Sequence, residues 1–467
     1  MECALRFRLA ALRPLFGLVV AALLIGFFAF YPAMQAHAQG EGFGLISDTE
    51  AERVLRSKLD PILLAAGLVP KDVHLYIIQD PSINAFVAEG QNMFLNTGLL
   101  MALDTPNQIT GVMAHETGHM AHGDLVRASA GIKAATIPLL LSMAAGLAAI
   151  IAGAGQAGTA IMMAGQQIAE RTFLAYSRTV EANADQAGIR FLTATHQSGE
   201  GMLQVFKKFE DQEILSSQHI DPYAQTHPVS ADRIAALQDQ VDASPWRDVK
   251  DSPETIYAFD MVRAKLRGYI QPSEVTLRQY PTSDTSKPAR YARAMAYFKA
   301  PDMQKSLAEI EGLLKDEPEN PYFLEMYGQI KVEMGKVAEG LVPYHKAVEI
   351  LPDAPLIRVA LGAALLDTEN PQNSREALEQ LQTALKQDYD DTFAWYKLAE
   401  AYARNGQPGK ADLATAERFI SVGDYRDAIQ FGTRAQRGLK QASPDWQRAV
   451  DIVAISQTQQ KAAQGGR

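Results

Sequence analysis

Met113-Ala114-His115-Glu116-Thr117-Gly118-His119 sets two imidazoles and a carboxylate into one run with helical spacing. Just upstream, Thr105 is a natural N-cap, Pro106 suits the first helical position and Gln108 completes a capping box, so a helix is expected from Pro106 to about Ala130. On such a helix His115 and His119 lie one above the other, and both rings reach a single ion. Glu116 is offset to the neighbouring side, placed to hydrogen-bond a metal-bound water without being a ligand itself. A catalytic zinc takes three protein ligands and a water, so a further donor must come from elsewhere in the chain.

That donor is not a third histidine on an extended motif, because the places where H-E-x-x-H-x-x-G-x-x-H needs glycine and histidine hold His122 and Leu125. A better candidate lies 62 residues beyond His119, in Thr179-Val180-Glu181-Ala182-Asn183-Ala184-Asp185. Four residues apart on a helix, Glu181 and Asp185 share a face. Glu181 can bind the metal while Asp185 accepts the free ring N–H of a ligand histidine and fixes its tautomer. His122 reads as a hydrogen bonder at the helix end. His227, in Thr226-His227-Pro228-Val229-Ser230-Ala231-Asp232-Arg233, sits in a loop before a helix. It is either surface punctuation or a histidine that visits the metal's open position or steadies the oxyanion. A peptide substrate has to lie extended across the site, most simply along an edge strand. Asn84-Ala85-Phe86 and the run Asn92–Asn96 are the candidates for that edge, with Asn84, Ala85 and Phe86 as substrate-binding residues.

Around this centre the chain divides by texture. Residues 41–104 mix β-like runs (Val73–Ile78, Ile83–Val87, Asn92–Asn96) with turns at Gly67, Asp80-Pro81 and Glu89-Gly90. From Ala134 to Ala169 there is no charged side chain, which suggests a lid or membrane-surface element. A true span is the alternative, against which stand Pro138, five glycines and three glutamines. Residues 241–287 read as a connector around one helix, Tyr257–Leu266, with 271–287 as the linker proper. After Pro288 a repeat emerges: Ala294, Gly328 and Gly362 are 34 residues apart, as are Pro318 and Pro352, and Ala399 follows Gly362 by 37. Small residues at that period point to tetratricopeptide-like helix pairs over 288–450, which must stack to bury their apolar faces. Gly423-Asp424-Tyr425 opens a last half-unit, and residues 451–467 read as a polar C-terminal tail. The fold expected is mainly α (α+β): a metallopeptidase domain over 41–270 with a small β-sheet, followed by an α-helical repeat solenoid.

At the N-terminus, Arg6, Arg8 and Arg13 precede an apolar centre, Leu15–Phe30, and an Ala36-His37-Ala38 exit. This pattern is that of a secretory signal peptide, 1–38, cleaved near Ala38, with an uncleaved anchor as the other reading. The 467 residues carry 44 Lys+Arg against 54 Asp+Glu, a net charge of −10, which argues against a nucleic-acid binder. The single cysteine, Cys3, excludes a disulfide framework and any thiolate metal site in the body of the protein. An exported, acidic, cysteine-free body suits the periplasm of a Gram-negative bacterium.

His-Glu-Thr-Gly-His, Tyr176-Ser177-Arg178 ahead of Glu181-x-x-Ala184-Asp185, Asn84-Ala85-Phe86, and Thr226-His227-Pro228 with Arg233 together resemble the HtpX-type gluzincin peptidases. The leader and repeats narrow the resemblance to the BepA-like periplasmic zinc metallopeptidases. It implies one Zn2+ per chain on His115, His119 and Glu181, with Glu116 as catalytic acid/base. Asp185 joins it in the catalytic set, as orienter of a ligand histidine rather than proton donor. In the members this chain resembles, the residue matching His227 caps the metal and keeps the resting enzyme silent, as a fourth ligand or switch. The stretch Met120-Ala121-His122-Gly123-Asp124 departs from relatives, which often carry a basic residue there, and is expected to lie apart from the metal.

The resemblance further implies an endopeptidase in quality control and assembly of outer-membrane β-barrel proteins. Unfolded or stalled outer-membrane proteins would be its substrates, and the repeats would dock on the β-barrel assembly machinery. A chaperone or scaffold that binds clients through its repeats, with a mostly idle, His227-capped metal site, is the competing reading.

Overall fold

The helix that carries the two histidines begins as its sequence dictates. In the computed structural model, which describes residues 44–88, 91–151, 155–215 and 227–465, Thr105 caps it by accepting the Gln108 N–H. Gln108 Oε1 in turn accepts the Asp104 N–H at 2.7 Å, one residue earlier than a standard capping box. The expected leader over 1–38 lies outside the described residues, as do Glu89-Gly90 and Thr226.

Six helices and a sheet surround the site. They are α1 (Thr49–Ala65), α2 (Pro106–His122), α3 (Asp124–Ile151), α4 (Gly155–Ala194), α5 (Glu200–Leu215) and α6 (Ala231–Ala243). The sheet's three longer strands are β1 (His74–Ile78), β2 (Ala85–Ala88) and β3 (Asn92–Asn96). β3 is central, parallel to β1 and antiparallel to β2, and β2 forms an edge of the sheet. Period-two alternation sends Ile77, Met93, Leu95, Ala85 and Val87 into one core. There they meet Leu55 and Leu59 of α1 and Ile109, Val112 and Met113 of α2.

One expectation about α2 is corrected. The helix does not run to Ala130 but stops at His122, because Gly123 adopts the left-handed conformation (φ 64°) that a residue without Cβ takes freely, and its N–H bonds back to His119 and Met120 carbonyls. The uncharged run 134–169 forms the far parts of α3 and α4, which pack along one another. Among the described residues no helix is long and apolar enough to cross a membrane. Ile137, Leu140, Leu141, Met163 and Ile168 of these helices are exposed.

From residue 46 onward the chain packs as one compact unit, so the expected linker is not a free connector. α7 (Pro253–Ile270) gives Phe259, Val262 and Leu266 to the sheet's core and Met261 to the core of the first repeat. A short helix α8 (Ser273–Gln279) occupies part of 271–287. Ten helices follow as five pairs: α9 (Lys287–Lys299) with α10 (Met303–Asp316), α11 (Pro321–Glu333) with α12 (Val337–Ile350), α13 (Pro355–Leu366) with α14 (Pro371–Gln387), α15 (Thr392–Arg404) with α16 (Pro408–Ser421), and α17 (Tyr425–Gly438) with α18 (Pro444–Gly465). The 34-residue period has a direct cause, since a Cβ on Gly328 would meet the Tyr344 ring at 2.8 Å and one on Gly362 would meet Leu381 at 2.8 Å. The expected polar tail, 451–467, is helical over its described part, 451–465, as the second half of α18, with Ile452 and Ser456 fully buried. The apparent half-unit after Gly423 is thereby a complete pair.

α2 and α4 are drawn together by missing side chains. A Cβ on Gly118 would lie 2.7 Å from the Ala184 carbonyl oxygen, and one on Gly188 would lie 3.2 Å from the backbone of Ala114 and His115. Gly118→Ala is therefore expected to force the two ligand-bearing helices apart and to destabilise the fold by about 1–3 kcal/mol. Chemical unfolding together with the metal content of the purified variant measures both effects; unchanged stability and metal content would contradict this packing.

Candidate metal centre

His115 is fully buried and His119 nearly so, on the face of α2 turned towards α4. Across from them α4 presents Glu181 and Asp185, and His227 arrives just ahead of α6. Five of the expected site residues thus converge with Glu116 in one pocket, drawn from three separate parts of the chain.

The tautomers follow from what stands behind each ring. His115 Nδ1 faces Asp185 Oδ1 at 2.9 Å and His119 Nδ1 faces Asp124 Oδ2 at 3.0 Å. Ionised carboxylates only accept, so each ring keeps a proton on Nδ1 and turns Nε2 to the centre, where it can give a lone pair to a bound cation. Those two Nε2 atoms point at each other across 3.1 Å. Glu181 Oε2 is 3.4 Å from His115 Nε2 and Glu181 Oε1 is 3.5 Å from His119 Nε2. His227 Nδ1 completes the group, 3.3 Å from His115 Nε2 and 3.1 Å from Glu181 Oε2. Ligands about 2.0–2.1 Å from a tetrahedral zinc stand about 3.3–3.4 Å from one another. Buried lone pairs at this spacing repel unless a cation lies between them, and an imidazole and carboxylate donor set without sulfur suits zinc. The residues fit a metal ion.

Electrostatics agree. Burial opposes charge on His115, yet Asp185 and Glu181 outweigh it and raise the ring to about 10. Burial alone would raise Glu181, but hydrogen bonds with His115 and His227 hold its carboxyl far below the usual range. Burial lowers His119, and brings His227 down to about 4. The acids therefore draw one positive charge to His115, a proton on Nε2 that a metal ion would displace, while His119 and His227 stay neutral. Glu116 is different: burial pushes its carboxyl up to about 8, and both its oxygens are buried without a hydrogen-bond partner among the described residues. His227 Nε2 stands 3.6 Å from Glu116 Oε1.

Two residues escaped the sequence reading. Asp124, in the stretch expected to lie apart from the metal, backs the ligand candidate His119; the left-handed Gly123 turns the chain and brings it round. Arg233 donates from Nε to Asp185 Oδ2 at 2.7 Å, from Nη2 to Asp185 Oδ1 at 2.8 Å and from Nη1 to the Pro228 carbonyl at 2.6 Å. Its Nη1 also lies 3.2 Å from Glu181 Oε2, so one buried guanidinium ties together both acids and the segment that carries His227. The signal was available: a cation in the first turn of a helix opposes the helix dipole and needs acidic partners. His122 is no helix-end hydrogen bonder through Nδ1, which is buried without a partner among the described residues.

The substrate-binding candidates fall on the sheet's edge strand and its entry. Ala85 is wholly buried, its backbone included, so a peptide can pair with it only after what covers it has moved. Asn84 gives its carbonyl to the Asn96 N–H at 3.0 Å, and its Oδ1 is buried without a partner among the described residues. Phe86 points to the opposite face from Ala85.

The family model for peptidase family M48 matches residues 49–241. The chain is 24% identical over 406 residues to the β-barrel assembly-enhancing protease of Escherichia coli (strain K12), covering 85% of this chain and 81% of that one. It is 24% identical over 194 residues to the mitochondrial metalloendopeptidase OMA1 of Schizosaccharomyces pombe, covering 41% of this chain and 54% of that one. Among solved structures, the chain is similar to YrrB, a TPR protein with an unusual peptide-binding site, at 21% identity and a TM-score of 0.31, covering 37% of this chain and 89% of that one. Residues 49–241 therefore form a peptidase family M48 domain, and the chain that carries it is a metallopeptidase.

Proposed function

We propose that this chain is a zinc-dependent endopeptidase of the periplasm, acting in the quality control and assembly of outer-membrane β-barrel proteins. The observation that carries the chemistry is the pair of inward Nε2 atoms of His115 and His119, 3.1 Å apart and faced by Glu181. These three residues hold one zinc ion. The reading of the biological setting is supported by the similarity to β-barrel assembly-enhancing proteases along most of the chain and by the leader-like first 38 residues.

A zinc ion held there would polarise the scissile carbonyl and lower the pKa of a water at its open position towards about 7. Glu116, dry and unpartnered, takes a proton from the attacking water and passes it to the leaving amine. Asp185 does neither, since His115 and Arg233 occupy both its oxygens; it orients His115. Asp124 does the same for His119. The peptide lies along β2, beside the helix that bears Glu116. His227 stands where a fourth ligand would, so it must withdraw for water and substrate to enter, and it acts as the switch of the site. The repeats dock on the β-barrel assembly machinery, and the exposed apolar side chains of 134–169 touch a membrane surface or an unfolded client.

Three measurements test this. Glu116→Gln should keep full zinc content and lose cleavage of an unfolded β-barrel polypeptide by a factor of about 100 or more; cleavage at the original rate overturns the mechanism. Asp124→Ala should weaken zinc binding about 10- to 100-fold in a chelator competition, as loss of a partner behind a ligand histidine does; unaltered affinity contradicts its role. His227→Ala should raise the rate of proteolysis severalfold, whereas a fall would make His227 a participant in the reaction rather than a cap.

A further inference from the structure

The sheet has a second apolar face that its core does not use. His74 and Tyr76 of β1, Phe94 of β3 and Phe86 of β2 all project there, opposite the buried Ile77, Met93, Leu95 and Ala85. Strand register puts Tyr76 level with Phe94 and Phe94 level with Phe86. The rings form a stacked row: His74–Tyr76 at 6.2 Å, Tyr76–Phe94 at 5.1 Å and Phe94–Phe86 at 4.9 Å between centroids, with planes within 24° of parallel. At the β1 end the row lies beside the turn between α14 and α15, where burial and then the charges of Asp390 and Asp388 raise Tyr76 above its ordinary range. At the other end it stops at Phe86, on the edge strand, and Phe94 is the only ring it stacks on among the described residues.

The position of that last ring matters because β2 lies between the row and the metal helix. Its Ala85 and Val87 share a core with Ile109, Val112 and Met113 of α2. A peptide adding itself to β2 would sit one strand spacing, about 4.8 Å, further out, with alternate side chains on opposite faces. Those on the inner face turn to the side of α2. Those on the outer face come level with Phe86 at close to the spacing that already separates Phe86 from Phe94.

We propose that Phe86 is a specificity-determining residue: a substrate aromatic side chain stacks on it as the next rung of the row, so that the preferred substrates are extended segments with an aromatic residue at one outward position. This rests on the reading that β2 binds substrate, and deepens it by naming the side chain recognised. Offset-stacked pairs of this kind contribute on the order of a 3- to 10-fold preference beyond the area they bury.

The test uses the zinc-loaded full-length chain and ten-residue unstructured peptides in which a single Phe is moved through successive positions of an Ala/Thr background. Binding is read by fluorescence anisotropy with the Glu116→Gln protein, so that no turnover is required. One position should bind Phe over Ala by about 3- to 10-fold. That ratio should fall to near one in Glu116→Gln/Phe86→Leu and persist in Glu116→Gln/Phe86→Tyr, whatever the change in overall affinity. Absence of binding, absence of any position that prefers Phe, or a ratio kept by Phe86→Leu overturns the proposal. Cleavage of the same peptides by the protein with Glu116 intact is scored separately: failure there strikes the peptidase reading and leaves the stacking ratio to be judged on binding alone.

Discussion

Two imidazole lone pairs aimed at the same point inside a dry pocket are the constraint on which the structure of this domain turns. As bare lone pairs His115 Nε2 and His119 Nε2 would not remain 3.1 Å apart; a positive charge has to lie between them, either a proton on His115 or a metal ion. They are held there from behind, by Asp185 and Asp124, and from the side by the closeness of α2 and α4. The glycines at that crossing, the acids on both helices and the guanidinium of Arg233 serve one arrangement. A divalent cation converts it from strained to favourable, so binding free energy and folding free energy are coupled here.

The electrostatic division of labour is clear from the environments. Glu181 and Glu116 are both buried carboxyls beside the His227 ring, yet their proton affinities are pushed in opposite directions. Glu181 has His115, His227 and Arg233 around it and stays ionised. Glu116 has burial without hydrogen bonds, which raises it to about 8 and suits it to hold and release a proton near neutral pH. His227 couples the two, with Nδ1 on Glu181 and Nε2 towards Glu116. Through Arg233 and the Pro228 carbonyl, the segment bearing His227 is also tied to Asp185, so movement of that segment is felt by the ligand set itself.

The repeat half is joined to this centre by more than a chain connection. α7 divides its apolar side chains between the two cores, and Lys265 on it pairs with Asp48 at 2.5 Å and with Glu50 at 3.3 Å. Tyr291 of the first repeat donates to Glu50 at 3.0 Å. What was legible in the sequence was whatever a short period encodes: His115 and His119, Glu181 and Asp185, and the 34-residue return of small residues at helix crossings. What was not legible depends on breaks and on distant partners. Asp124 is close to His119 because Gly123 reverses the backbone, which a search for helical spacing passes over. Arg233 was quoted as part of a motif without a role because its partners lie 48 and 52 residues upstream, at Asp185 and Glu181. The last helix was mistaken for a tail because its surface is polar, although Ala449, Ile452 and Ser456 recur at helical spacing and are buried.

The central claim is that one zinc ion occupies the meeting point of the His115, His119 and Glu181 side chains. X-ray absorption at the zinc edge of the purified full-length protein tests it most directly. The account predicts one ion per chain with four nitrogen and oxygen neighbours at about 2.0–2.1 Å, imidazole scattering and no sulfur. A six-coordinate all-oxygen shell, or a chain that retains no stoichiometric metal, would contradict it.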